Sequence, residues 1–291
     1  SQCNSSKGGG GLYVGDRNSF ARATGCDISN NQHNNVTAHR GAKVEIHNCQ
    51  CNGSKGWSGL YVEDRNSFAT VKSSATVIDC SFFSNKLSNV AACRGACMEL
   101  CNCTCNDSKS WCGLAVLDSN SSANAVSCSF CSNKQANVLV QGLGARVCLR
   151  DSKCEESKGG SGLAVYQGCS ANASSCTFNN NQASNVAVPD AGQVELRESQ
   201  CNSSKSGGGL LVKNGGSATA TESSLSNNYR SNVQVRDGGG VARLLQCQCN
   251  GSKRGWGLRG DSGNCLITAR SGTATGNRLG SRYPFVFIHF L

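Results

Sequence analysis

Charged side chains recur at one position of a repeating pattern in the N-terminal half of the chain. Their sign alternates from each member to the next, in the order Asp16, Arg40, Asp64, Arg94 and Asp118. Carboxylates can act as general acids or bases on a sugar, and a neighbouring cation can neutralise an anionic substrate. These five residues are therefore the candidates for catalysis if the chain is an enzyme. Opposite charges on neighbouring strands also stabilise a sheet, so a purely structural role remains the alternative.

A second set of residues could bind an extended acidic polymer. Lysines, which we call the Lys edge, occupy every second repeat, at Lys7, Lys55, Lys109, Lys158, Lys205 and Lys253, and asparagine takes the same position in between. Trp57, Trp111 and Trp256 follow members of the Lys edge by two or three positions and could stack on sugars. Lysines on alternate strands would recur about every 9.6 Å, because neighbouring strands lie about 4.8 Å apart. One interpretation is a track for an acidic polysaccharide, with nucleic acid less favoured because so few aromatic residues interleave. The other is a solvated turn in which asparagine separates like charges.

The elements that would position these residues are short strands in a regular repeat. Apolar residues open one strand per repeat, alternating leucine with valine, at Leu12, Val36, Leu60, Val90, Leu114, Val138, Leu163, Val186, Leu210, Val233 and Leu258. A second apolar residue stands two positions after nearly every opener, which is the period of a half-buried strand. Pairs such as Val44/Ile46 and Cys80/Phe82 mark two further strands. The pattern predicts a β-solenoid of about eleven 24-residue coils, with three short strands per coil and a paired 48-residue repeat.

Coils of this length resemble the right-handed parallel β-helix of the pectin-lyase-like superfold. The resemblance covers residues 1–275, and residues 276–291 are interpreted as a C-terminal apolar tail or cap. It implies the fold but not the function, since this superfold hosts lyases, hydrolases, epimerases, binding modules and adaptors. The hydrolase signatures Asn-Thr-Asp, Asp-Asp, Gly-His-Gly and Arg-Ile-Lys are missing from the sequence. One coil, within about residues 67–79, is six residues longer than the others and could form a binding loop.

Glycine and asparagine alternate one position before each opener, as in Gly59 and Asn89, which indicates tight corners with positive φ and stacked asparagine ladders.

Most of the 21 cysteines share inward columns with serine, isoleucine or phenylalanine, so they are interpreted as core volume. Stacked thiols slightly favour a reducing intracellular compartment, although nine Asn-x-Ser/Thr sequons leave an extracellular one open. His33, His39 and His47 fall on different strands and turns, so neither a metal site nor a cofactor is predicted.

These observations favour a non-catalytic binding or scaffold protein that engages a protein or an acidic polysaccharide along the Lys edge. The net charge of +10 agrees with an acidic partner, and no run is long enough to span a membrane. An uncapped N-terminal end suggests a subunit whose end another segment or chain covers. An enzyme is expected less, because active sites usually interrupt a repeat. The alternative is a polysaccharide lyase, hydrolase or epimerase of the pectin-lyase-like superfold.

Overall fold

Strands are the only regular elements in the computed structural model, which describes residues 1–64, 72–261 and 264–280. The chain forms two compact units, Ser1–Cys148 and Leu149–Leu291. Within the described residues, no helix is long and apolar enough to cross a membrane. The predicted all-β parallel solenoid with three strands per coil is confirmed.

The first unit contains six coils. Its first sheet runs in the order β1 (Leu12–Gly15), β3 (Val36–His39), β5 (Leu60–Glu63), β8 (Val90–Cys93), β11 (Leu114–Leu117) and β13 (Val138–Gln141). Its second sheet runs in the order β2 (Phe20–Thr24), β4 (Lys43–His47), β6 (Ser74–Ile78), β9 (Cys97–Cys101), β12 (Ser122–Val126) and β14 (Arg146–Arg150), whose last residues belong to the second unit. The third side of the coil is the parallel pair β7 (Ser81–Phe83) and β10 (Thr104–Asn106), extended by single bridges such as Asp27 with Gln50.

The second unit repeats this plan over five coils. Its first sheet comprises β15 (Leu163–Val165), β17 (Val186–Val188), β19 (Leu210–Lys213), β21 (Val233–Arg236) and β23 (Leu258–Gly260). Its second sheet comprises β16 (Ser170–Ser174), β18 (Gln193–Arg197), β20 (Ser217–Thr221), β22 (Val241–Leu245) and β24 (Leu266–Arg270). Single parallel bridges form its third side, from Lys153 with Thr177 to Gln248 with Thr273.

Inward side chains of the three strand columns fill the centre of each coil. Leu60 and Val90 are in register on neighbouring strands and are fully buried, as the opener pattern predicts. Phe82 pairs with Cys105, so a wide side chain lies against a narrow one, and both are inaccessible to solvent. This alternation packs the narrow interior without voids, because side-chain volumes compensate from one coil to the next.

Asparagine ladders line the corner before the first sheet. In the first unit the side-chain amides bond in sequence, each donating to the next, at Asn31, Asn35, Asn85, Asn89, Asn133 and Asn137. All six side chains are fully buried. In the second unit the same pattern of hydrogen bonds connects Asn181 with Asn185, Asn185 with Asn228, Asn228 with Asn232 and Asn232 with Asn277. The ladders satisfy polar groups that the turns would otherwise bury without partners.

The reason for the glycines at this corner differs from the predicted one. Gly59 is not among the positive-φ residues, and a Cβ there would lie 2.6 Å from Asn85 Nδ2 and 2.7 Å from Asn89 O. Glycine is therefore required by the close approach of the ladder and not by its backbone conformation. In the longer coil Ser74–Ile78 is an ordinary strand, and the predicted binding loop falls largely on residues 65–71, which lie outside the described ranges. The predicted cap is described only as far as residue 280.

Candidate functional site

The outward-facing side chains of the first sheet in the first unit form two rows, which we call the outer face. One row reads Tyr13, Thr37, Tyr61, Ala91, Ala115 and Leu139, in parallel register. The other reads Gly15, His39, Glu63, Cys93, Leu117 and Gln141. Groups able to transfer protons are thus concentrated on β1, β3, β5 and β8.

His39 is held against Tyr13 on the outer face. The two ring centroids are 4.8 Å apart in an edge-to-face arrangement. A Cβ on Gly15 would lie 3.0 Å from His39 Nε2 and 2.9 Å from the Tyr13 ring, so glycine leaves the space that both rings occupy. Glu63 is the register neighbour of His39 on the next strand. An imidazole, a phenol and a carboxylate therefore lie on three adjacent strands.

Tyr61 and Cys93 form a second contact on the outer face. The Tyr61 and Cys93 side chains are hydrogen-bond partners, and burial raises the pKa of Tyr61. Burial also raises the pKa of the Cys93 thiol to about 12. Both groups therefore keep their protons at neutral pH.

Arg94 is anchored at the edge of the outer face by Glu63. Its Nη1 lies 2.5 Å from Glu63 Oε1, and the Glu63 side chain is only 8% exposed whereas that of Arg94 is 53% exposed. The sequence predicted that Arg94 would pair with the aspartates of its own column. The structure differs because Arg94 turns towards Glu63 on the neighbouring coil. Arg40 does pair with Asp16, at 3.6 Å between exposed side chains.

A cavity of about 330 Å³ adjoins this ion pair. We call it the cationic cavity, because Asp64, Lys72, Arg94 and Arg146 are the charged residues of its wall. The 119–122 turn supplies three serines and one asparagine to the remaining wall. Asp64 is 2% exposed, and Ser73 N–H donates to its Oδ2 at 3.4 Å. One buried aspartate thus lines a cavity together with three cationic side chains, an arrangement suited to an anionic ligand.

The predicted catalytic candidates divide into two groups. Asp64 and Arg94 line the cationic cavity, whereas Asp16, Arg40 and Asp118 do not. Asp16, Arg40, Arg94 and Asp118 adopt φ between +52° and +75°, so the backbone is left-handed at these four positions but not at Asp64. Only two of the five charged residues line the cavity.

The Lys edge is exposed in both units. Lys7, Lys55 and Lys109 project from the first unit, and Lys158, Lys205 and Lys253 project from the second. The asparagines between them do not separate solvated charges, because they belong to the buried ladders. Trp57 is 52% exposed, and Trp111 and Trp256 are half-buried.

Tyr61, Glu63 and the contact of His39 with Tyr13 do not follow from the repeat pattern of the sequence. The three clustered histidines remain apart, and no group of three or more His, Cys, Asp or Glu side chains within the described ranges could hold a metal ion. His39 is 9% exposed and packs on Tyr13, so it is not a solvent-exposed surface histidine. These residues stand one or three positions after a strand opener, and this spacing alone predicts that they lie on the outward side of the strand.

Solved structures, but no sequence families, are similar to this chain. No protein-family model and no curated protein sequence matches the chain. Among solved structures it is similar to the A-module of the mannuronan C-5 epimerase AlgE4 of Azotobacter vinelandii, with a TM-score of 0.61 at 11% identity over 99% of this chain and 89% of that one. The chain has the pectin-lyase-like parallel β-helix fold.

Two further solved structures share this β-helix fold. A mutant of the periplasmic alginate epimerase AlgG gives a TM-score of 0.54 at 10% identity, over 94% of this chain and 73% of that one. The tailspike protein gp49 of the Acinetobacter baumannii bacteriophage Fri1, a capsular polysaccharide depolymerase, gives 0.50 at 8% identity, over 92% and 57%.

These comparisons contradict the prediction of a non-catalytic scaffold. The three solved structures named above are of two polysaccharide epimerases and a depolymerase. The error lay in treating the regular repeat as evidence against activity. Regularity constrains the inward residues that fill the core, whereas the outward residues can form a site without interrupting it.

Proposed function

We propose that the protein is an enzyme that modifies an anionic polysaccharide at the cationic cavity. The observation that carries this proposal is the placement of the buried Asp64 carboxylate in one cavity with Lys72, Arg94 and Arg146. A uronate sugar carries one carboxylate per residue, and three cations can hold and neutralise that group. The similarity in fold to polysaccharide epimerases and a depolymerase supports the same substrate class.

The chemistry that suits this cavity is removal of the proton next to the sugar carboxylate. That proton becomes acidic only when the negative charge developing on the carboxylate is stabilised, and preorganised cations such as Arg94 supply this stabilisation. Asp64 is the proposed base, because it is the carboxylate of the cavity wall. The sugar proton would pass to Asp64 while the electron pair moves onto the carboxylate.

Tyr61, on the outer face next to the cationic cavity and not in its wall, is the proposed proton donor for the second half of the reaction. It lies on β5, two residues before the Glu63 that anchors Arg94, and burial keeps its hydroxyl protonated. Protonation of the leaving glycosidic oxygen would give a lyase, and reprotonation of the sugar carbon on its opposite face would give an epimerase. A hydrolase with two catalytic carboxylates is less well supported, because Glu63 is committed to Arg94.

The test is incubation of the full chain with mannuronate, guluronate and galacturonate polymers in heavy water. Elimination produces unsaturated ends that absorb ultraviolet light, whereas epimerisation introduces deuterium at the carbon that lost its proton. We expect one of these products, and we expect Asp64→Asn to lower its rate by about 100-fold or more. Glu99→Gln, an exposed carboxylate on β9, is the matched control and should retain the rate.

Two results would contradict the proposal. The first is turnover of a uronate polymer that survives Asp64→Asn unchanged, which would place the base elsewhere. The second is that the folded protein produces neither unsaturated ends nor deuterium incorporation from any of the three polymers. New reducing ends without unsaturation would instead indicate hydrolysis and would redirect attention to Glu63.

A further inference from the structure

A second cleft lies in the second unit and has no part in the proposed catalysis. Its volume is about 230 Å³, and its wall includes Ser184, Ser206, Leu211, Arg230, Gln234 and Arg236. It lies beside the first sheet of the second unit, where β19 and β21 follow their turns. We call it the arginine cleft.

Glycines leave the arginine cleft open. Gly207 stands three positions before its strand opener, where the first unit places Trp57 and Trp111. A Cβ on Gly207 would lie 2.4 Å from Ser184 N, and one on Gly208 would lie 2.5 Å from Ser231 O. No side chain can occupy these positions without moving the backbone, so the cleft is bounded by main chain where other coils carry an indole ring.

The surroundings of the cleft are strongly basic. Between residues 229 and 280 the sequence contains eight basic residues, at Arg230, Arg236, Arg243, Lys253, Arg254, Arg259, Arg270 and Arg278. The same segment contains only two acidic residues, Asp237 and Asp261. This excess of six positive charges is spread over both sheets, so it attracts anions to the segment as a whole, and the effect weakens as salt is added.

The two aspartates neutralise the cleft only in part. Asp237 Oδ2 is shared between Lys213 Nζ at 3.5 Å and Arg236 Nε at 3.3 Å. Asp261 accepts hydrogen bonds from Gln234 Nε2 at 3.0 Å and from Arg259 Nε at 2.5 Å.

The two arginines of the cleft retain capacity for a ligand. Arg230 is exposed and makes no ion pair with any residue of the described ranges. Arg236 Nε lies 3.3 Å from Asp237 Oδ2 but forms no aligned hydrogen bond with it or with any other residue of those ranges.

We infer that the arginine cleft binds a carboxylate or sulfate group of an acidic glycan, as a site separate from the cationic cavity. Guanidinium groups match planar or tetrahedral oxyanions through paired N–H donors. At about 230 Å³ the cleft is smaller than ordinary small-molecule pockets, which begin near about 300 Å³. It therefore suits one charged group with its sugar ring and not a longer oligosaccharide. The inference goes beyond the proposed activity and does not require it.

The experiment is calorimetric titration of the full chain with a galacturonate tetramer, a sulfated oligosaccharide of the same length and a neutral glucan oligomer. The double variant Arg230→Gln/Arg236→Gln should weaken binding of at least one acidic oligomer by about tenfold or more, because two charge-assisted contacts are lost. The matched control is Arg243→Gln/Arg270→Gln, which removes the same charge from the second sheet of the same unit. The control should weaken binding by no more than about twofold, because it changes only the long-range attraction between the net positive charge and the anionic oligomer.

An equal loss in the two double variants would overturn the inference, because binding would then follow net charge and not the cleft. Unchanged binding in Arg230→Gln/Arg236→Gln, or no binding of either acidic oligomer to the unaltered chain, would overturn it as well. Asp64→Asn separates the two proposals, since it should abolish turnover and leave this binding component intact. Cleft-dependent binding without any turnover would refute the proposed activity alone.

Discussion

Replacement of Asn89 by alanine tests whether the asparagine ladder stabilises the first unit. Asn89 Nδ2 donates to Asn106 O at 2.8 Å and to Asn133 Oδ1 at 3.1 Å, and Asn89 Oδ1 accepts from Asn85 Nδ2 at 2.8 Å. Three hydrogen bonds are lost at a fully buried position, and each contributes about 1 kcal/mol net. Alanine also leaves buried polar partners unsatisfied, so we expect the free energy of unfolding to fall by about 3–4 kcal/mol.

The assay for the Asn89→Ala variant is urea denaturation followed by the fluorescence of Trp57 and Trp111. The urea concentration at the midpoint of unfolding should be clearly lower than in the unaltered protein, with little change in the dependence of the unfolding free energy on urea. Asn124→Ala is the matched control, because Asn124 is exposed on β12 and should change the free energy by less than about 0.5 kcal/mol. A loss below about 1 kcal/mol for Asn89→Ala would refute the reasoning, since it would mean that the ladder only replaces bonds that water supplies equally well.

Three further predictions concern the core, one corner and the buried thiols. Phe130→Ala should lower the free energy of unfolding by about 3–5 kcal/mol in urea denaturation, whereas Phe130→Leu should cost much less, because Phe130 is fully buried. Gly142→Ala should cost about 1–3 kcal/mol or more in the same assay, because Gly142 has φ of +112° and a Cβ would lie 2.6 Å from Asp118 backbone atoms; a neutral result would exclude that strain. Burial raises the pKa of the Cys80 thiol from 9.0 to about 12, so its contribution to stability is complete below pH 9 and is lost as the pH rises towards 12. Between pH 8 and about pH 10.5 the urea midpoint should therefore fall less steeply with pH in Cys80→Ser than in the unaltered protein. The same pH dependence in both proteins would contradict the raised pKa of Cys80.

The strands and the core could be predicted from the sequence because one physical requirement governs them. Each coil must place apolar side chains inward at a fixed spacing, so Leu60 and Val90 mark strands whether or not anything else is known. The pairing of Phe82 with Cys105 follows from the same need to fill a narrow interior. The asparagine ladder was predictable too, since a buried amide in every coil can be satisfied by its neighbours.

The site could be predicted only in part, because the outward residues obey no such requirement. The charge alternation drew attention to Asp64 and Arg94, and both line the cationic cavity. The same pattern could not reveal that Arg94 pairs with Glu63, because a long side chain at a corner can reach either neighbouring column. Tyr61 could not be predicted, because it lies between the inward residues Leu60 and Val62 and the core repeat places no requirement on that position.

The most direct test of the proposed activity is the separate measurement of kcat and KM on a uronate polymer for Asp64→Asn and Arg94→Gln. Asp64 is assigned proton removal, so Asp64→Asn should lower kcat by about 100-fold or more with KM nearly unchanged. Arg94 is assigned both binding and stabilisation of the developing charge, so Arg94→Gln should raise KM and lower kcat together. Full activity in both variants would contradict the proposal that the cationic cavity is the active site.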